Sequence, residues 1–172
     1  STYLFSIAVT NYASWTEVYT ALDGETTMDV TYWAYPADLE DAQADWSRNL
    51  EMMDFYVSIF GEYPFLDEKY DIAEFQHPGA MEHQTCTFMG DGLVDGQGTY
   101  ALILAHELAH SWTGNLVTNA TIDDFWLNEG FTVWAERRIL EKLDGLEAKS
   151  LAMLGVMYPR LPAARRWARR GL

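Results

Sequence analysis

The chain has 172 residues, of which 49% are hydrophobic and 15% aromatic, enough for a folded core and too apolar for an intrinsically disordered chain. Its 26 acidic residues outnumber 11 basic ones, and the resulting net charge of −15 argues against binding to the phosphate backbone of nucleic acids. The single cysteine, Cys86, excludes both an internal disulfide and a cysteine-rich zinc ribbon.

Membrane insertion and export are not expected from the sequence. The apolar runs are too short to cross a bilayer, and the first ten residues lack the basic start of a signal peptide. We therefore expect a soluble protein without a transmembrane segment, with the cytoplasm as the favoured compartment.

Charge divides the chain into an acidic body and a basic tail. Residues 1–159 contain all of the acidic residues and carry a net charge of −20, whereas residues 160–172 contain five arginines and no acidic residue. Such a switch in composition predicts a boundary near residue 160. We expect the tail to be poorly ordered; the alternative is that it contacts an anionic surface or the acidic body.

The first sixty residues show two strand patterns and then a helix pattern. Residues 3–9 and 27–34 are rich in β-branched and aromatic residues and predict strands, with an Asp-Gly turn at residues 23–24. From residue 38 to residue 60, apolar residues recur every three or four positions, which predicts one amphipathic helix. Gly61 is expected to end it.

The rest of the chain predicts a mixed α+β fold. Residues 69–75 and 84–88 have the composition of strands, and residues 89–98 contain four glycines without the GK[ST] ending of a phosphate loop, so we expect a flexible connection. The apolar patterns predict helices over residues 100–112, 128–143 and 146–157.

The strongest motif is HELAH at residues 106–110, an H-E-x-x-H pattern within a predicted helix. Positions i and i+4 lie on one face of a helix, so His106 and His110 can converge on one ion, and zinc suits imidazole nitrogen. Glu107 is rotated about 100° away on the helix, beside the open coordination position, where it can act as a general base. The alternative is a buried helix with two incidental histidines.

Two downstream glutamates are candidates to complete this site. Glu129 lies at the start of the next predicted helix and is the candidate third ligand. Glu136 lies two turns further along the same face and is positioned to hold the distal N–H of a ligand. The alternatives are a glutamate stabilised by the helix dipole and an exposed partner of a nearby basic residue.

Upstream, the segment GAMEH at residues 79–83 lies between two predicted strands. Small residues at 79 and 80 allow an extended peptide to lie alongside as an added strand, and an ionised Glu82 could bind a positive α-amino group. The alternative is a turn with a surface glutamate.

The chain resembles the M1 family of zinc aminopeptidases, within the gluzincin group, in the order and spacing of three elements. These elements are GAMEH, HELAH and, after eighteen intervening residues, Glu129. The stretch 106–137 is particularly similar to the leukotriene A4 hydrolase-like branch. The resemblance covers about residues 3–145. It implies a partial thermolysin-like catalytic domain over residues 35–159, preceded by the last strands of a β domain over residues 1–34.

The resemblance also implies a role for each motif residue. The implied zinc ligands are His106, His110 and Glu129, the implied general base is Glu107, and the implied substrate-binding residues are Gly79, Ala80, Met81, Glu82 and His83. Glu136 would support a zinc ligand. The expected function is therefore zinc-dependent hydrolysis of the N-terminal residue of a peptide or aminoacyl substrate, with one Zn²⁺ per chain.

Two departures from the family pattern qualify this expectation. His83 stands where the family motif ends in asparagine, and the family's transition-state tyrosine is expected several dozen residues beyond the second-motif glutamate. We therefore expect a piece of a longer enzyme with weak activity of its own. The alternative function is a zinc-binding, catalytically impaired module that binds a partner or self-associates.

Overall fold

The computed structural model describes residues 4–157, with side chains described as far as residue 143. The strands in this range are β1 (Ala13–Thr20), β2 (Thr27–Ala34), β3 (Tyr70–Phe75), β4 (Ala80–Met81) and β5 (Cys86–Gly90). The α-helices are α1 (Leu39–Asp45), α2 (Asn49–Phe60), α3 (Ala101–Ala109) and α4 (Trp126–Met157). None of these helices is both long and apolar enough to cross a membrane.

The strands form one mixed sheet in the order β1-β2-β3-β5-β4. The outer pairs, β1 with β2 and β4 with β5, are antiparallel, whereas β2, β3 and β5 run parallel. The sheet is continuous across residue 34, where the sequence predicts a domain boundary, and that boundary stays a prediction. The predicted basic tail, residues 160–172, lies outside the described residues.

An aromatic stack joins the first helices to the sheet. The rings of Trp15 and Tyr32 are parallel with centroids 4.7 Å apart, and Trp46 stacks on Trp15 at 5.8 Å. Tyr32 and Trp46 are almost fully buried. Burial of rings this large dominates core energetics, so the stack fixes the helices after residue 38 against β1 and β2.

The first predicted strand is wrong. Residues 4–9 form no strand: Leu4 is buried, but the side chains of Phe5, Ile7 and Val9 are largely exposed. The strand that pairs with β2 is β1, whose residues alternate between half-buried and exposed positions. The second strand, β2, has the predicted bounds, and the Asp-Gly turn lies between β1 and β2.

The long helix predicted over residues 38–60 is two helices with a break at residues 46–48. The break presents Trp46 to the aromatic stack, while Asn49 donates a hydrogen bond to the Tyr32 hydroxyl at 3.2 Å. Buried positions recur every three or four residues straight through the break, so periodicity could not reveal it. Gly61 does end the second helix, with a φ of +91°.

The connection at residues 89–98 is anchored rather than loose. The carboxylate of Asp45 accepts backbone hydrogen bonds from Asp95, Gly96 and Gly98 at 2.7, 3.0 and 2.7 Å. Residues 89 and 90 belong to β5. Three N–H donors on one buried carboxylate hold this loop in place directly before the helix that carries the histidines.

The predicted stop near residue 145 is also wrong, because α4 continues without interruption to Met157. A glycine in a helix interior costs about 1 kcal/mol relative to alanine, which is too little to end a helix of this length. The strands predicted over residues 69–75 and 84–88 are confirmed within two residues, as β3 and β5.

Candidate active site

Helix α3 and the residue that follows it place two imidazoles side by side. The helix is apolar and packs into the core through Leu104, Ala105 and Leu108, which leaves His106 and His110 on a common face. The two Nε2 atoms lie 3.1 Å apart, with the ring planes nearly perpendicular. The predicted convergence of the two histidines is thus present in the structure.

Glu129, in the first turn of α4, completes a three-residue group with the two histidines. Its carboxylate oxygens lie 3.4 Å from Nε2 of His106 and 3.7 Å from Nε2 of His110. A tetrahedral zinc ion with bonds of about 2.0–2.2 Å holds its ligand atoms about 3.3–3.6 Å apart. The three observed separations match that spacing to within a few tenths of an ångström, so the donor set fits zinc.

The opposite ring nitrogens of both histidines are held by hydrogen bonds. Nδ1 of His106 lies 3.2 Å from a carboxylate oxygen of Glu136. Nδ1 of His110 lies 2.9 Å from the carbonyl oxygen of Thr113 and 3.1 Å from the hydroxyl of Thr132. Acceptors at both Nδ1 positions favour the tautomer with N–H on that side, so the Nε2 lone pairs face the centre of the group.

Close packing around His110 depends on a glycine. Gly114 has a φ of +143°, and a Cβ atom there would lie 2.9 Å from Nδ1 of His110 and 3.3 Å from the buried amide of Asn128. Any side chain at this position would therefore press on the ring that the hydrogen bonds orient.

Glu107 is buried beside the histidines, and its carboxylate faces the same pocket. Burial raises the pKa of Glu107 to about 8, since the nearby His106 offsets only part of the effect and Glu82 and Glu129 add to it. Burial lowers the pKa of His110, and this effect is larger than that of the nearby Glu82 charge, which raises the pKa. Both shifts favour the uncharged form of the side chain.

His106 titrates in the opposite direction. Burial acts to lower its pKa, but the hydrogen bond that His106 donates to Glu136 and the charges of Glu107, Glu136 and Glu129 outweigh burial, so the net shift is upward. The upward shift shows that the surrounding carboxylates favour positive charge at this point, as they would favour a bound cation.

The pocket lies between a helix wall, formed by His106, His110 and Glu129, and a strand wall, formed by Ala80, Met81 and Glu82. Its volume is about 620 Å³. Strand β4 is at the edge of the sheet, and it is paired on one side with β5. Among the described residues, no strand pairs with its other edge.

Asn115 connects the two walls. Its side-chain amide donates to the backbone oxygen of Glu82 at 3.0 Å, and its backbone N–H donates to the carbonyl of His110 at 2.9 Å. One residue therefore fixes the distance between the glutamate of the strand wall and the second histidine.

Two of the predicted substrate-binding residues lie outside the pocket lining. Gly79 has a φ of +94° at the start of the β4–β5 hairpin, and His83 turns away from the pocket. Nδ1 of His83 lies 3.0 Å from the carbonyl oxygen of Leu4, and its ring packs edge-on against Phe88. In this arrangement His83 ties the N-terminal segment to the strand wall.

Sequence reasoning missed several residues of the site. The segment between α3 and α4 contributes the remaining lining residues of the pocket: Thr118, Asn119, Ala120, Thr121, Ile122 and Phe125. Thr113, Asn115 and Thr132 hold His110 and Glu82 in place. The position of Thr132, three residues after Glu129 and therefore on the same helix face, was the one available signal.

Comparison with known sequences agrees with the motifs. The profile of the Peptidase family M1 domain matches residues 45–164. The chain is 37% identical to leukotriene A-4 hydrolase of Xenopus laevis over 129 residues, which covers 73% of this chain and 21% of that protein. It is 42% identical to leucine aminopeptidase 2-2 of Meyerozyma guilliermondii over 125 residues, covering 69% and 19% respectively.

Solved structures show the same relationship. Native leukotriene A4 hydrolase of Saccharomyces cerevisiae superposes with a TM-score of 0.65 at 34% identity, covering 80% of this chain and 22% of that chain. A mutant two-domain M1 zinc metallopeptidase bound to L-tryptophan superposes with a TM-score of 0.67 at 25% identity, covering 88% and 33%.

The family assignment rests on agreement between sequence and fold. The family profile matches well over half of the chain, and the fold class implied by the resemblance is confirmed by the M1 structures that superpose on it. The chain spans about a fifth of the length of the curated relatives it matches. It belongs to peptidase family M1.

Proposed function

We propose that this chain carries the active site of a zinc-dependent aminopeptidase that removes the N-terminal residue of peptides. The observation that supports this most directly is the group formed by His106, His110 and Glu129, whose donor atoms have the separations of a tetrahedral zinc site. A zinc ion held by these three residues would lower the pKa of a water to about 7 and polarise the scissile carbonyl.

Glu107 acts as the general base in this proposal. Its carboxylate is buried next to the two histidines and lines the pocket, within reach of a water between the two walls. It takes a proton from that water as the oxygen adds to the scissile carbonyl, and then delivers the proton to the leaving amine. Burial alone favours the protonated form of Glu107, so this role requires a cation at the neighbouring histidines, which would favour the carboxylate form that accepts a proton.

Glu82 determines where the substrate is cut. Its carboxylate lines the pocket at the end of the strand wall and binds the α-ammonium group of the peptide. The edge of β4 aligns the first residues of the substrate in an extended conformation, with Ala80 and Met81 beside its backbone. Because the ammonium is fixed at Glu82, only the first peptide bond reaches the histidine centre.

The test compares variants of this chain with matched zinc content. We expect the zinc-loaded wild-type chain to release p-nitroaniline slowly from leucine p-nitroanilide, and Glu107→Gln to reduce that rate about 100-fold or more. Metal analysis should give about one zinc per chain for both proteins, and His110→Ala should lose it. N-acetyl-leucine p-nitroanilide, which lacks the ammonium group, is the control substrate.

Equal rates for the wild-type chain and Glu107→Gln would contradict the proposal, as would equal rates on the free and acetylated substrates. Zinc retained by His110→Ala would contradict the ligand assignment separately.

A second candidate function is supported by the outer face of α4. Trp126, Phe131 and Trp134 are exposed by 64%, 50% and 47%, and they form an apolar groove with Phe60 and Gly130. Exposed aromatic patches are typical of interaction surfaces. A zinc-binding module that binds a partner or self-associates through this face would keep that binding in the Glu107→Gln variant.

A further inference from the structure

A glutamate outside the active-site pocket is buried with one of its carboxylate oxygens unpaired. Glu74 lies in β3 and is fully buried. Its Oε2 accepts a hydrogen bond from the backbone N–H of Tyr35 at 2.7 Å, whereas its buried Oε1 has no hydrogen-bond donor among the described residues. A buried carboxylate oxygen without a donor is costly, so this side chain needs a proton of its own.

Asp38, at the start of α1, is the partner that such a proton would serve. The side chains of Asp38 and Glu74 lie within hydrogen-bond reach of each other. Asp38 occupies the N-cap position of α1, yet its carboxylate makes no hydrogen bond to the first turn of that helix. An aspartate at this position usually accepts such a bond. The Asp38 side chain is therefore turned to the sheet instead of to the end of its own helix.

The contact between the two side chains requires a proton. Two ionised carboxylates cannot bond to each other, because both offer only acceptors, whereas one proton between them makes a strong O–H···O⁻ hydrogen bond. Burial is the largest cause that raises the pKa of Glu74 to about 7. The hydrogen bond from Tyr35 lowers that pKa, and the charge and hydrogen bond of Asp38 raise it.

The other groups around Glu74 are acidic or carry no charge near pH 7. Asp91, in the turn after β5, adds negative charge. The Tyr12 hydroxyl donates to the Glu74 carbonyl oxygen at 2.6 Å, and the Tyr12 ring stacks on Tyr35. Burial is the main cause that raises the pKa of both phenols and that raises the pKa of the neighbouring Cys86 thiol to about 12. A proton lost near pH 7 therefore comes from the carboxyl groups.

We propose that Glu74 and Asp38 share one proton and thereby form a pH-sensitive latch between β3 and the start of α1. With the proton in place, the hydrogen bond between the two carboxyl groups ties the helix to the sheet. When the proton passes to solvent, two neighbouring negative charges repel each other and the tie is broken.

The latch acts on the loop that leads into the helix with the two histidines. Helix α1 has only seven residues, with Asp38 directly before it and Asp45 as its last residue. Asp45 accepts the three backbone hydrogen bonds that anchor residues 95–98, and α3 begins at Ala101. A helix this short that comes loose at its first turn also moves at its last. The order of the loop therefore depends on pH without any titration in the pocket.

Hydrogen exchange of backbone amides, measured by NMR at several pH values, tests the proposal. Relative to intrinsic exchange, we expect the protection of the Tyr35 and Gly98 amides to fall by up to about 10-fold per pH unit between pH 5 and pH 7, and then to level off. The amide of Ala21 bonds to the Thr26 carbonyl in the turn between β1 and β2. It is the internal control and should keep its protection.

Asp38→Asn distinguishes the latch from the burial of Glu74 alone. The asparagine amide can donate to the ionised Glu74 carboxylate, so the contact persists without a proton, and the protection of the Tyr35 amide should no longer fall with pH. Glu40→Gln makes the same change from acid to amide at an exposed residue in the first turn of α1. It is the matched control and should behave as the wild-type chain.

Two results would overturn the latch. One is an Asp38→Asn variant with the same pH dependence as the wild-type chain, which would assign the titration to the burial of Glu74 alone. The other is a wild-type chain in which the protection of the Tyr35 amide does not change with pH, and this measurement is decisive even if the variant does not fold. A fall at Tyr35 without a fall at Gly98 would overturn the link to the loop.

Discussion

The helix wall and the strand wall of the pocket differ in how their polar groups are paired. On the helix wall, each histidine is held by an acceptor at Nδ1, provided by Glu136, Thr113 or Thr132. On the strand wall, Glu82 is held only through its backbone, by Asn115, and its carboxylate has no partner among the described residues. In the proposed function, this difference lets the first wall hold one fixed ligand and the second bind ligands that exchange.

The largest expected difference between the two walls is in how a mutation changes zinc affinity. Thr132 is fully buried and its hydroxyl lies 3.1 Å from Nδ1 of His110 and 2.7 Å from the hydroxyl of Thr113. Thr132→Val keeps the shape and removes these contacts, so we expect zinc affinity to fall about 10- to 100-fold, measured by competition with a chromophoric chelator.

Thr132→Ser is the matched control, because it keeps the hydroxyl and removes the methyl group. It should bind zinc nearly as tightly as the wild-type chain. If the valine variant also binds zinc normally, or if both variants are equally weak, the hydroxyl does not orient His110 and the contrast between the walls fails.

A smaller effect is expected on the strand wall. Asn115→Ala removes the hydrogen bond to the Glu82 carbonyl, and a hydrogen bond of this kind contributes about 0.5–1.5 kcal/mol. We expect leucinamide to bind about 2- to 12-fold more weakly by NMR titration, while zinc affinity stays unchanged. Asn11→Ala, at an exposed asparagine, is the control. A parallel loss of zinc affinity in Asn115→Ala would mean that the two walls are not independent.

A further effect, on stability rather than on binding, is a pH dependence that originates outside both walls. Glu74 of β3 is fully buried, and burial is the main cause that raises its pKa from 4.5 to about 7, with the charges of Asp38 and Asp91 adding to it. The folded chain then binds a proton more tightly than the unfolded chain. This contribution to stability is therefore complete below about pH 4.5 and is lost as the pH rises through 7.

Glu74→Gln removes this titration. Relative to the wild-type chain, the variant should become more stable as the pH rises from 5 to 8, measured by urea unfolding at several pH values. A difference between the two proteins that does not change with pH would show that Glu74 is ionised throughout. Glu107 remains in both proteins, so its own titration cancels in the comparison.

The positions of His106, Glu107 and His110 could be predicted from helix geometry, whereas the roles of Glu82 and Glu129 were implied by the family resemblance. An i, i+4 pair of histidines must share a helix face, and the apolar residues of α3 bury the rest of that helix. Asn115 and Thr113 could not be predicted in this way, because their roles depend on a tight turn after His110 that has no periodic pattern. The lining residues from Thr118 to Phe125 were missed for the same reason.

The fold was predictable where one pattern governed one element, as in β2 and β5. Errors arose where tertiary contacts override a local pattern. The segment at residues 4–9 has the composition of a strand but leaves Phe5, Ile7 and Val9 exposed, and the helix break at residues 46–48 is set by the aromatic stack. Gly145 is a weak stop signal, and α4 continues through it.

The parallel pairing of β2 with β3 has a practical consequence for anyone who shortens this protein. A version that starts at residue 35, where the family resemblance implies a domain boundary, would remove β1 and β2 and leave the buried strand β3 as a bare edge. An exposed apolar strand edge can form β-sheet hydrogen bonds with a strand of another molecule. Such a version is expected to precipitate, so expression trials should retain the N-terminal hairpin.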